Sequence, residues 1–306
     1  MNMSHLRLLL LGVILLVGTG SAAAQQVPDP NFDVKVAKPA YAAKGPKVLF
    51  DEAHFNFHTA GGRYKPLADL LRNDGYQVKP NTAKFTKEML AGCDILLISN
   101  ALGAERMGTP QASNPAFTEE ECDAVAEWVK NGGSLLLIAD HAPMGAAAQN
   151  LGKRFGVEMH TGYTIDTEHA DKKMNSPSCL SFTQENKLLA EHPITKGRDA
   201  SETVKTVTTF TGQSLKGPEG SVAFLKLSDS AVDISPTDRK QTSAAGRAQG
   251  IAFTFGKGRV VVLGEAACLS AQLAGPQQRP MGMNFPGLDN KQLALNILHW
   301  LSGLLT

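Results

Sequence analysis

The stretch Gly132-Gly133-Ser134-Leu135-Leu136-Leu137-Ile138-Ala139-Asp140-His141-Ala142 decides how this chain is read. Two glycines stop the helix before them, and an apolar run with no polar interruption follows. A run this short, apolar on both faces, is the pattern of a parallel strand buried on both sides of its sheet. Asp140 and His141 then stand at its carboxyl end, the end outside which open parallel sheets bind their ligands.

The same unit recurs on either side. Lys47 to Phe50 is a short apolar run ending in Asp51-Glu52, which predicts a first buried strand. A helix follows, with Pro66 in its first turn, Leu67, Leu70 and Leu71 facing inward, and Asp74-Gly75 as its stop. Tyr76 to Lys79 predicts a second strand, Thr86 to Leu90 a short helix, and Asp94 to Ser99 a third strand. Thr118-Glu119-Glu120-Glu121 is a capping box, in which hydroxyl and carboxylate satisfy each other's free backbone N–H groups. Behind it Cys122, Val125, Ala126 and Val129 repeat with the period of one helix face. Ser134 to Ala139 is the fourth strand, and Met144 to Phe155 the helix after it. Between Val157 and Ser243 the pattern weakens into loops and short strands, Val222 to Leu227 being the clearest. Gly250 to Phe255 and Arg259 to Leu263, joined through Gly256-Lys257-Gly258, predict a β-hairpin. Asn290 to Leu301 predicts a closing helix with Leu293, Ile297, Trp300 and Leu301 as its buried stripe and Asp289-Asn290 as its N-cap. Alternating strands and helices with right-handed crossovers make an α/β fold: an open, mostly parallel sheet with helices on both faces, then a C-terminal hairpin and helix.

Residues 1–24 read as a signal peptide: Arg7, an apolar run from Leu8 to Val17, and Ala22-Ala23-Ala24 before Gln25. The apolar run falls short of the roughly 20 residues that a membrane span requires. Export to the periplasm or medium is the expectation, with cleavage after Ala24 and no stable membrane insertion afterwards. Residues 25–46 are rich in Pro and Ala and read as an extended lead-in, and 47–306 as one α/β domain. The chain has 30 basic and 29 acidic residues, and losing Arg7 leaves 29 of each. So even a balance argues against a nucleic-acid partner, which needs a concentrated basic face. Four cysteines allow three disulfide pairings. Cys93 and Cys122 read as small core residues. Cys179 and Cys268 lie in or beside loops, where a bridge would have to form.

Three strand ends carry polar clusters: Asp51 to His58, Asp140-His141, and Gly264-Glu265 running on to Ser270 and Gln272. If they share one rim, imidazoles and carboxylates face one cleft. Two chemistries are open there. His54, His141 and Glu52 could hold a divalent metal ion that activates water. Without metal, His141, Glu265 and Asp140 are the acid–base candidates, and Asn56, Asn100 and Gln272 the amides placed to bind substrate. The plainer reading has these groups capping helices and pinning loops. Gly61-Gly62-Arg63 opens a helix where a phosphate cradle would lie but fits no nucleotide-binding pattern. His160, His169, His192 and His299 read as structural or exposed.

The segments DEAHFNFHTAGGRYKPLADLLRNDGYQV (51–78), DILLISNALG (94–103), GGSLLLIADHAPMGAAA (132–148), GKGRVVVLGEAACLSAQL (256–273) and DNKQLALNILHWL (289–301) together resemble an uncharacterised bacterial family. That family belongs to the class I glutamine amidotransferase-like superfamily, alongside ThuA-like proteins and the GldG/intraflagellar-transport domain. The resemblance covers about Lys47 to Leu301 and implies a flavodoxin-like fold with a nucleophile elbow after one central strand. In true amidotransferases that elbow carries Cys, assisted by a distant His and Glu. Here the matching elbow is Ala139-Asp140-His141-Ala142, with neither Cys nor Ser, so thiolate hydrolysis of glutamine is not expected. Two functions follow from the resemblance and the rim: a hydrolase-type enzyme on a small polar or carbohydrate substrate, or a binding domain without turnover. The sequence leaves the oligomeric state open.

Overall fold

A computed structural model describes residues 26–42 and 44–306; the segment read as a signal peptide lies outside them. Four strands of the predicted series form: β2 (Lys47–Asp51), β3 (Gln77–Asn81), β4 (Ile95–Ser99) and β5 (Ser134–Ile138). They are joined by the second strand of the hairpin, Gly258–Leu263, in the order β3-β2-β4-β5-(258–263), all parallel. All five residues of β4 and of β5 are buried, as the uninterrupted apolar runs require. β3 lies at the edge, where Pro80 leaves no central ladder short of a donor.

The strand period of two sorts the core. Ile95, Leu97, Leu136, Ile138, Val261 and Leu263 pack on one side with α1 (Lys65–Asn73) and the closing helix Asn290–Leu301. Leu96, Ile98, Leu135, Leu137, Val260 and Val262 pack on the other, with helices Glu119–Lys130 and Met144–Arg154. Each fully buried Leu or Ile contributes about 1.5–3 kcal/mol, so this double layer dominates stability. The glycine stop also has a steric role: a Cβ on Gly133 would sit 2.2 Å from the Trp128 ring, and Gly132 has φ +122°.

Beyond the hairpin the sheet turns antiparallel and reaches nine strands. Ala248–Phe255 pairs with Gly258–Leu263 across a two-residue turn, Gly256-Lys257. Its other edge carries Val222–Lys226 and Leu215–Lys216. The weakly patterned stretch 157–243 therefore supplies the expected strand at Val222–Lys226 and otherwise strands of two or three residues, too brief to show a period. The lead-in is more than extended chain. Its β1 (Gln26–Pro28) pairs antiparallel with Ala271–Ala274, and Phe32, Val34, Val36 and Tyr41 pack on the core.

Several expectations are corrected. Asp289 stands at the N-cap of the closing helix as expected, but its side chain makes no cap hydrogen bond; its carboxylate accepts instead from the N–H groups of Lys205 and Thr206, at the start of the strand Thr206–Thr208. His299 is fully buried, with Nε2 2.7 Å from Asp74, so the helix is buried on more than its predicted stripe. All four cysteines are free, and no bridge joins Cys179 to Cys268.

Candidate functional site

The β2 end folds back on itself. Asp51 holds His54 Nδ1 with both oxygens at 2.9 Å, and Glu121 Oε1 meets Nε2 at 2.9 Å. The ring lies between Phe85 and Phe117, each 4.7 Å from it centre to centre. Burial alone would lower the His54 pKa, but the two carboxylates outweigh it and raise it. An imidazole facing a carboxylate at each nitrogen is best satisfied by donating from both, so these surroundings favour the imidazolium. Glu121 is the Glu of the predicted capping box, and it also accepts from Phe85 N–H. Asn56 completes this knot, donating to Asp51 and to Ser99 O while accepting from His54 N–H. Glu52 accepts from Ala60 N–H and pins the intervening loop.

These contacts correct the metal set. His54 has no free nitrogen, Glu52 serves the loop and His141 belongs to another cluster. Among the described residues no three His, Cys, Asp or Glu side chains are grouped to hold a metal ion. Asn56 is likewise satisfied inside the knot and is not presented to a ligand.

A cavity of about 350 Å³ opens at the strand ends beside the knot. Its polar lining is Gln26, His58, Arg63, Asn100, Asp140, His141 and Gln272, and Phe57, Met107, Met144 and Phe210 supply apolar wall. Four residues picked from the sequence thus meet there: Asp140, His141, Asn100 and Gln272. Asn100 is the keystone. It has φ +50° and is 1% exposed, its N–H donates to Ile138 O, and its Oδ1 accepts from Asp140 N–H at 2.9 Å. It locks the ends of β4 and β5 together. From the other side Gln213 Nε2 donates to the carbonyls of Ala139 and Asp140. A Cβ on Gly145 would stand 2.4 Å from that amide, so a larger residue there would have to displace Gln213 from these bonds.

Glu265, expected on the rim, is not in the cavity lining. It is fully buried, and its two oxygens accept from the N–H groups of Ala267 and Cys268. Burial and the nearby Asp140 charge push it up to about 8. Asp140, half-buried, is pushed up to about 7, chiefly by desolvation. A charge on Asp140 thus disfavours ionisation of Glu265 further.

Two further polar residues of the lining lie in stretches noted in the sequence, His58 in the first strand-end cluster and Arg63 in the Gly61-Gly62-Arg63 loop, but were not among the leading site residues. His58 is buried, stacks on Tyr64 at 4.4 Å and meets Ser99 Oγ through Nδ1 at 3.1 Å. Burial lowers its pKa to about 3, with the Arg63 charge adding to the effect, so the ring is neutral. Arg63 lies 4.0 Å over the Phe57 ring. Neither spacing marks a site; only their position at a strand end could have suggested them. His141 Nδ1 faces Ala142 O at 3.0 Å, which leaves Nε2 as the nitrogen available to a ligand.

No protein-family model and no curated protein sequence matches the chain. Among solved structures, it is similar to the mmIFT52 N-terminal domain at 15% identity and TM-score 0.60, covering 83% of this chain and 97% of that one. A ThuA-like protein from Parabacteroides merdae matches at 13% identity and TM-score 0.45, over 84% of this chain and 90% of the other. A GMP synthase-type protein from Thermoplasma acidophilum matches at 12% and 0.43, over 85% and 96%. The first likeness shows a shared fold.

Proposed function

We propose that this chain is a flavodoxin-like, amidotransferase-like domain that lacks the thiol nucleophile and works as a hydrolase-type enzyme on a small polar or carbohydrate substrate. The carrying observation is the pairing of Asp140, held near 7, with the imidazoles of His58 and His141 in one cavity. A general base works best when its pKa lies near the operating pH. Asp140 fits that role: when ionised it can take a proton from water, and His141 Nε2 can hold or hand on a proton at the leaving group. Asn100 fixes the turn that carries both. Metal-assisted hydrolysis has no assembled ligand set among the described residues, so the proposal rests on protein acid–base groups. The segment 1–24 supports an exported protein, and the periplasm is the proposed location.

A second reading, binding without turnover, draws support from the elbow, where neither Asp140 nor His141 replaces a Cys or Ser nucleophile. Chromogenic ester, glycoside, phosphate and amide substrates offered to the mature protein separate the two readings. Turnover lost in both Asp140→Asn and His141→Gln by about 100-fold or more, with a pH profile rising through about 7, supports the enzyme. If the cavity binds ligands yet none of these classes is turned over, the enzyme reading fails.

A further inference from the structure

Five described arginines are half-buried: Arg63, Arg154, Arg198, Arg247 and Arg259. Arg154 grips Glu119 and Asp123, Arg198 grips Glu202, and Arg247 grips Glu158. Arg259 donates to the carbonyls of Trp300 and Leu305. Arg63 differs. Only its Nε is engaged, by Gln26 O at 3.2 Å, and among the described residues no carboxylate pairs with it and Nη1 and Nη2 have no hydrogen-bond partner. The fork therefore lines the cavity with its donors uncommitted, free to grip a ligand without breaking any bond inside the protein.

A second donor points the same way. Asn100 Nδ2 is buried with no acceptor, and because Oδ1 is held by Asp140 N–H, flipping the amide would only exchange one unmet group for another. Both groups line the one cavity.

We infer that this cavity recognises an oxyanion: the ligand carries a carboxylate or phosphate, gripped by the free fork of Arg63 and assisted by Asn100 Nδ2. The Arg63 fork matches either oxyanion in a two-point contact, and Phe57 beneath it and Gln26 O behind it hold the plane in place. Arg63 rides on the loop after β2 and Asp140 on the turn after β5, with β4 between them. At about 4.8 Å per strand the two loops stand about 10 Å apart, a span one small molecule covers. The anion would be the handle and Asp140 and His141 the reacting end, so the inference rests on the function proposed above and adds the substrate class.

Calorimetric titration of wild type, Arg63→Gln and Arg63→Lys with glucose, glucuronate and glucose 6-phosphate, at matched ionic strength, tests this. The three probes differ at one carbon, neutral, carboxylate or phosphate. The expected result is that one anionic probe binds at least about tenfold more tightly than glucose, that Arg63→Gln removes the difference, and that Arg63→Lys keeps part of it. The anion preferred identifies carboxylate or phosphate. Glucose binding as well as both anions, Arg63→Gln binding like wild type, or no probe binding at millimolar concentration overturns the inference. Urea unfolding of each variant guards against misfolding, and Arg63→Lys preserves the charge if Arg63→Gln fails to fold. Anion binding that persists where no substrate class is hydrolysed sinks the enzyme and leaves the anion site standing. Hydrolysis of neutral and anionic substrates that Arg63→Gln leaves equally fast does the reverse.

Discussion

His54 and His141 follow two strands of the parallel sheet, β2 and β5, with β4 between them, each close to an Asp, and the chain treats them oppositely. Around His54 every polar atom is answered: two carboxylates take its two nitrogens, two phenylalanines cover its faces, and Asn56 and the capping box close the rest. Around His141 the groups are left open: one imidazole nitrogen is free, Asn100 Nδ2 and Gln272 Oε1 are unpartnered, and burial pushes Asp140 and Glu265 towards their neutral forms, with the Asp140 charge adding to the effect on Glu265. A satisfied cluster contributes to stability, whereas an unsatisfied one in a cavity is a site awaiting a ligand. Residue type alone does not separate the two; the partners do.

The comparison breaks if the two histidines behave alike when removed. His54→Ala leaves Asp51 and Glu121 as buried carboxylates without their cation, and should cost about 3–5 kcal/mol in urea unfolding. A loss under about 1 kcal/mol would mean the knot is not what holds these strand ends.

The pH dependence sharpens it. The raised His54 pKa means its contribution is fully present below the ordinary value of 6.5 and is lost as pH rises through the folded value. Glu121, lowered by its hydrogen bonds from Thr118, His54 and Phe85 against the opposing pull of burial, contributes above about 4.5 and loses that as pH falls through its folded value. Asp140 and Glu265 are raised, so their effect is present below about 4 and fades as pH climbs towards about 7 and about 8. Stability measured across pH should therefore flatten above 6.5 in His54→Gln, and between about 4 and 7 in Asp140→Asn. Unchanged curves in either variant would show that the group does not titrate as its surroundings require.

Smaller still, Thr118→Ala removes the cap that orients Glu121 towards His54 and should cost about 1 kcal/mol. His141→Ala, last, should change stability by no more than about 0.5 kcal/mol while removing whatever turnover the cavity supports. If thermal unfolding shows His141→Ala to be as damaging as the cap variant, His141 is a structural residue and the contrast with His54 collapses.

Much of this was readable in advance. Ser134 to Ile138 and Ile95 to Ser99 are apolar on both faces, and such runs have few stable places but the middle of a parallel sheet. The capping box at Thr118 and the hairpin around Gly256 also formed where their residues indicated. Strand ends then pointed to Asp140, His141, Asn100 and Gln272, because chain order predicts which ends share a rim. It did not predict that Glu265 would be held by the N–H groups of its own turn, or that Asn56 would bond inward to Asp51 and Ser99 O. Residues 157–243 hid most of their strands, Val222–Lys226 apart, because two- and three-residue strands show no period.

Local pattern, by itself, determined the layers, the parallel strands and the end of the sheet where polar groups gather, since hydrophobic burial acts through spacings along the chain. Tertiary structure alone decided which polar groups are answered. Glu121 reaches His54 across 67 residues, and Gln26 meets Arg63 across 37, while among the described residues none meets the Arg63 fork. Hydrogen bonds are set by three-dimensional approach within a few tenths of an ångström, and sequence spacing carries no such distances.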